Sequence, residues 1–166
     1  MSLMDLMDAP AYDPARDNRR RNILIGGVVA VVLLGVLAFA GYASGHGWLF
    51  TNTGYEHRVN NFFDALEVKD YSKAYGIYYN DPDWQQHPAK YSDYPLPRFT
   101  QDWTTDSPIN GAITSHHVDK SVSAGSGYFG TGVIVAVRVN GDHKIFMYVN
   151  RADKTMTWPA PYVFKY

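Results

Sequence analysis

Three patterns of apolar and polar positions follow one another along this chain. From Ile23 to Ala43 there is no charged and no strongly polar side chain. A helix of those 21 residues is about 31 Å long, close to the roughly 30 Å hydrocarbon core of a bilayer. A core helix of a water-soluble domain keeps a polar face, and this stretch has none. It predicts one membrane-spanning helix. From Tyr55 the apolar positions narrow to one helical face: Tyr55, Val59, Phe62, Phe63 and Leu66 fall at i, i+4, i+7, i+8 and i+11. That spacing predicts a helix over Tyr55 to Val68. Asp70 is placed to cap a second helix lined by Tyr71, Ala74, Tyr75 and Tyr78, which Asn80-Asp81-Pro82 ends. Pro97 suits the first turn of a short third helix, with Phe99 and Trp103 as its buried pair.

Beyond Ile109 the pattern predicts strands over Ile109–Val122, Tyr128–Val139, His143–Arg151 and Met156–Tyr166. Ser123 to Gly127 reads as the first turn between them. Asn140-Gly141 reads as a tight hairpin, because both of its central positions need positive φ. Pro159 and Pro161 suit an edge strand. The predicted class is α+β: a single N-terminal transmembrane helix, then a helical hairpin packed on a curved antiparallel sheet. The expected organisation is a cytoplasmic tail over 1–22, the span over 23–43, an interfacial linker over 44–54 and an outer domain over 55–166.

Charge supplies the orientation. Arg16, Arg19, Arg20 and Arg21 precede the apolar run, and the first acidic or basic residue after it, His46 apart, is Glu56. Arginines are retained on the cytoplasmic side, so the N-terminus is expected inside, with the C-terminal domain periplasmic or extracellular. A cleaved signal sequence is the competing reading, and Ala38-Phe39-Ala40 fits a small-x-small cleavage site. The run is longer than the roughly 7–15 apolar residues of a signal core, which favours retention. Trp48 and Tyr42 suit a membrane–water interface. In the tail, Leu3, Leu6 and Met7 can form an apolar stripe. In the span, Gly26 with Ala30 and Gly41 with Gly45 have the small-xxx-small spacing that lets helices approach.

A net charge of −1, with 11 Lys and Arg against 12 Asp and Glu from residue 44 onward, provides no basic field for nucleic acid. The absence of cysteine excludes disulfides, thiolate catalysis and thiolate zinc sites.

Val59-x-x-Phe62-Phe63-x-Ala65-Leu66-x-x-x-Asp70-Tyr71-x-x-Ala74-Tyr75 resembles the helical hairpin that opens many domains of the nuclear-transport-factor-2-like superfamily. The later long strand, Asn-Gly turn, return strand and Trp158-containing segment are similar to the sheet of that fold. The resemblance covers about Tyr55 to Tyr166. It implies a conical domain, a bent sheet wrapped on helices with a cavity at the open end. The superfamily includes ketosteroid isomerase and scytalone dehydratase, transport and assembly factors, and subunits with no chemistry. Membrane-anchored versions include the scaffold subunit of type IV secretion systems, so the resemblance leans towards a bacterial inner membrane. It names core residues, not a functional motif, and therefore does not choose among tasks.

No catalytic set is evident. Individual candidates are His116 and His117, and the carboxylates Asp102, Asp106 and Asp119, any of which could act as acid or base inside an apolar cone. Neighbouring strand residues point to opposite faces, so His116 and His117 do not share a metal. No metal site and no cofactor are expected. Tyr78, Tyr79, Trp84, Tyr91 and Tyr94 crowd the middle segment, where they make either an interaction surface or a rigid closure of the cone. The expectation is a non-enzymatic accessory or assembly subunit whose partners are membrane lipid, other membrane-protein subunits or a second copy. The alternative is a small-ligand-binding or enzymatic domain using the cone cavity.

Overall fold

A computed structural model describes residues 14–125 and 131–166. The stripe at Leu3, Leu6 and Met7, the last two residues of the first predicted turn and the start of the second predicted strand lie outside the described residues. The chain divides into two compact units, the second running from Phe39 to Tyr166.

Helix α1 spans Pro14–Ser44. Its apolar side chains, from Ile23 to Phe39, are exposed nearly all round. It is long and apolar enough to cross a membrane, a property that a signal sequence shares. The helix takes in Pro14–Asn22, the end of the expected tail.

In the second unit, α2 (Thr53–Glu67) and α3 (Tyr71–Tyr79) form the predicted hairpin. The Asp70 carboxylate accepts the Lys73 backbone N–H at 3.0 Å and caps α3, and Asn80 ends it in the left-handed conformation. Two 3-10 turns, Trp84–Gln86 and Pro88–Tyr91, lead to α4 (Leu96–Asp102). The sheet is a meander, β1 (His116–Ala124), β2 (Gly132–Val139), β3 (His143–Asn150) and β4 (Met156–Thr157), all antiparallel neighbours. The fold is α+β among the described residues.

The inner face of the sheet, including Val133, Val135, Val137, Ile145, Met147 and Val149, packs on Val59, Phe62, Phe63 and Leu66 of α2 and on Phe99 and Trp103. A bulge between Val118 and Lys120 puts Asp119 out of register. One extra residue exchanges the two faces of a strand. His116 and Val118 before the bulge, and Ser121 after it, therefore all turn towards α2.

Three strand expectations are corrected. Residues Ile109–Ser115 are not strand. They are held instead by Asn140, whose Oδ1 accepts the N–H groups of Thr114 and Ser115 and whose Nδ2 donates to Ala112 O. The hairpin turn itself is as predicted, with φ of 46° at Asn140 and 96° at Gly141. The second strand starts at Gly132 rather than Tyr128 within the described residues. The last strand stops at Thr157 rather than Tyr166, because Pro159 and Pro161 have no N–H to offer a ladder. The remaining residues cross the outer face of the sheet: Ala160 N donates to Phe146 O, Phe164 packs on Phe146, and the Tyr166 ring lies 4.2 Å from Lys144 Nζ.

Candidate functional site

The junction between α1 and the sheet is built from short side chains and bare backbone. Gly45 ends the helix with φ of 81°, and His46 N donates back to Gly41 O. The chain then folds over Gly41 so tightly that a Cβ there would lie 2.6 Å from Gly47 O and 2.7 Å from Phe50 N. Only glycine fits. Gly45 O accepts the Ser121 N–H at 2.7 Å, which ties the helix end to β1. Glu56, buried on α2, accepts from Ser121 Oγ at 2.5 Å and lies 2.9 Å from His46 Nδ1. A buried carboxylate needs such partners, since an unpaired one costs several kcal/mol. Asn52 is fully buried beneath Gly47, donating to His46 O through its backbone N–H. The segment read as a linker outside the fold is therefore part of the second unit's packing.

One turn of this junction faces outward. Trp48, Leu49 and Phe50 are 62%, 43% and 38% exposed. Leu49 and Phe50 have φ of 52° and 57°, a left-handed conformation that costs roughly 1–2 kcal/mol for each non-glycine residue. The fold carries that strain while leaving Trp48 and Leu49 exposed, with the Phe50 ring stacked on His46 at 6.4 Å.

The expected site residues sort differently. Gly41 and Gly45 are used within the chain, against Gly47 and Lys120, so they are not free for a second helix. Gly26 has open space around it, and Ala30 is exposed. Tyr78 and Tyr91 are buried, so the aromatic crowd turns inward rather than presenting a surface. Tyr75 meets Tyr79, Trp84, Tyr91 and Phe99 edge to face, an arrangement ring quadrupoles favour. Its hydroxyl donates to Tyr94 O at 2.6 Å, Tyr91 donates to Asp81 at 2.5 Å, and Trp84 Nε1 donates to Ser72 O at 3.1 Å. Burial pushes the Tyr78 hydroxyl up to about 12.

A cavity of about 250 Å3 is lined by Tyr78, Tyr94, Asp102, Trp103 and Trp158. Asp102 is not free there: it accepts from the Tyr94 hydroxyl at 2.9 Å and pairs with Arg98 at 3.0 Å. Asp106 is exposed and accepts from Gln101 at 2.8 Å. Asp119 lies on the opposite side of the sheet from the helices, held by Arg138 at 2.7 Å and by the Tyr166 hydroxyl at 2.6 Å. Burial alone would raise its pKa, but hydrogen bonds from Arg138 and Tyr166, with the charge of Arg138, hold it below the ordinary carboxylate value. Asp102, Asp106 and Asp119 thus occupy separate places, and His117 points away from the core beside Asp119. His116 alone turns inward, to Glu67, Asn60 and Asp64 of α2.

Outside these candidates, two grooves of about 610 and 420 Å3 meet at Arg58 and Ile77. Arg58 Nη2 donates to the Ile77 carbonyl, and its buried Nε has no partner among the described residues. Burial lowers the pKa of this guanidinium. Sequence reading passed over Arg58 because a lone arginine on a helix is ordinarily a solvated face.

No family model matches the chain, and no curated protein or solved structure matches it either.

Proposed function

We propose that this chain is a membrane-tethered, non-enzymatic interaction module, an accessory or assembly subunit of a larger membrane complex. The observation that carries the reading is the junction. An all-round apolar helix ends in a glycine-built turn bonded to β1, with Trp48, Leu49 and Phe50 displayed beside it. In this reading α1 spans a cell inner membrane with its arginines in the cytoplasm, and the exposed turn rests at the opposite lipid interface. The domain, which we read as a member of the nuclear-transport-factor-2-like superfamily, then serves as a docking body. Its interior supports that use: Phe62, Phe63, Phe99 and Trp103 fill the space between helices and sheet. The cavity left at Trp158 is smaller than the roughly 300–1,000 Å3 of most ligand pockets.

Two measurements test the proposal. The chain has no cysteine, so Val68→Cys, at an exposed position, gives a single label site. A membrane-impermeant maleimide should label it in intact cells and should not label Ser2→Cys. Purification of the full chain in mild detergent should retain a partner or a second copy. Labelling of Ser2→Cys instead would overturn the topology, and a chain migrating alone after cross-linking would overturn the assembly role.

A further inference from the structure

Asn60, Asp64 and Glu67 stand at i, i+4 and i+7 of α2 and share one face of that helix. His116, the first residue of β1, reaches across to them. Its side chain is only 6% exposed and stacks on Phe63 with ring centroids 5.5 Å apart. Nδ1 is 2.6 Å from Glu67 Oε1. Nε2 is 3.1 Å from Asn60 Oδ1 and 4.0 Å from Asp64 Oδ1.

The orientation of the Asn60 amide decides what these distances mean. Its Nδ2 donates to Asp64 Oδ2 at 2.9 Å, so its oxygen is the atom turned towards His116. When the neutral imidazole donates its Nδ1–H to the Glu67 carboxylate, Nε2 carries a lone pair. That lone pair faces an amide oxygen and a carboxylate, and both of these accept as well. Three acceptors then converge with no donor among them. A positive species resolves the conflict, either a second proton on the ring or a metal cation.

We propose that the convergence point is a divalent metal site of zinc type. His116 Nε2 and the Asp64 carboxylate are its ligands, and the Asn60 carbonyl lies beside them. Zinc bonds of about 2.0–2.1 Å to nitrogen and oxygen set ligand atoms roughly 3.3 Å apart in a tetrahedron. The 4.0 Å between His116 Nε2 and Asp64 Oδ1 is longer than that spacing by an amount that a rotation of the half-exposed Asp64 side chain closes. Glu67 on Nδ1 is the carboxylate that fixes the tautomer and aims the ring, the arrangement typical of metal-bound histidine. Mixed imidazole and carboxylate ligation suits zinc and its transition-metal neighbours better than calcium. The Asp64 side chain is 54% exposed, which leaves an entry path and room for water to complete the shell. Asp64, Glu67 and His116 each offer a ligand atom within 4.8 Å of the others. Bound metal would fasten the polar face of α2 to the start of the edge strand β1.

The test is calorimetric titration of zinc chloride into the full chain in detergent, after stripping with chelator. One zinc per chain is expected. Asp64→Asn and His116→Ala should each weaken it at least tenfold, and Glu67→Gln by roughly 10- to 100-fold, the usual loss for an orienting partner. Asp64→Asn is the safer variant for folding because its side chain is largely exposed. Zinc should raise the thermal midpoint of the parent and leave that of His116→Ala unmoved. Absence of a saturable site, or an undiminished site in both His116→Ala and Asp64→Asn, overturns the proposal. Nitrogen NMR that finds both His116 ring nitrogens protonated in the presence of zinc overturns it too, in favour of the proton.

Discussion

Helices α1 and α2 are rich in the same apolar residue types, yet those residues meet opposite surroundings. In α2, Val59, Phe62 and Phe63 are completely buried beneath the sheet. In α1, Val31, Leu33 and Phe39 remain more than half exposed. The difference lies in what separates the apolar residues. His57, Asn61 and Asp64 give α2 a wet side, so only one face needs cover and the chain supplies it. Residues 23–37 have no wet side, and every one of them is exposed. Hydrophobicity alone does not tell a helix buried by its own chain from one left exposed; its distribution around the axis does.

That contrast can be broken in graded ways. Phe62→Ala should destabilise the domain by about 3–5 kcal/mol, seen as a lowered denaturant midpoint, because it opens a cavity among packed rings. Leu33→Ala, a comparable truncation in α1, should leave the same midpoint unchanged. On the proposed membrane topology, Val31→Arg should cost about 2.5–3.5 kcal/mol of insertion, read as a shift of the chain to the soluble fraction, while the domain melts as before. Loss of domain stability in Val31→Arg would mean that α1 is covered by protein. Asp70→Ala should remove about 1 kcal/mol through loss of the α3 cap, detectable by chemical denaturation.

Acid separates the two regions most gently. No carboxylate lies between residues 23 and 43, whereas Asp119 is held below its ordinary value by Arg138 and Tyr166. A depressed carboxylate adds stability above the unfolded value, and that stability is lost as pH falls through the folded value. The domain's melting temperature should therefore decline on acidification below the normal carboxylate range. Asp119→Asn should flatten part of that decline, measured by melts at stepped pH.

Local chemistry made much of this fold readable. The α2 stripe, the Asp70 cap, the Phe99–Trp103 pair and the Asn140-Gly141 turn depend on residues within a few positions of each other, and each stands where the pattern put it. What escaped reading depends on distant residues. Ser121 meets Glu56 and Gly45 only because an extra residue at Asp119 exchanges the faces of β1. Such a bulge leaves no mark in hydrophobic alternation. Tyr78 and Tyr91 read equally well as a surface or as a closure, because composition does not say which way a ring points; both are buried. His116 has His117 as its neighbour in sequence, while the groups it meets lie on a helix 49 to 56 residues earlier.

The indoles of Trp103 and Trp158 stand 5.8 Å apart at 59° beside the small cavity. Two such chromophores couple, and the coupling depends steeply on their separation and angle. The protein thus contains its own optical gauge: any guest that wedges between these rings, or any motion that parts them, would be visible in near-ultraviolet circular dichroism without attaching a probe.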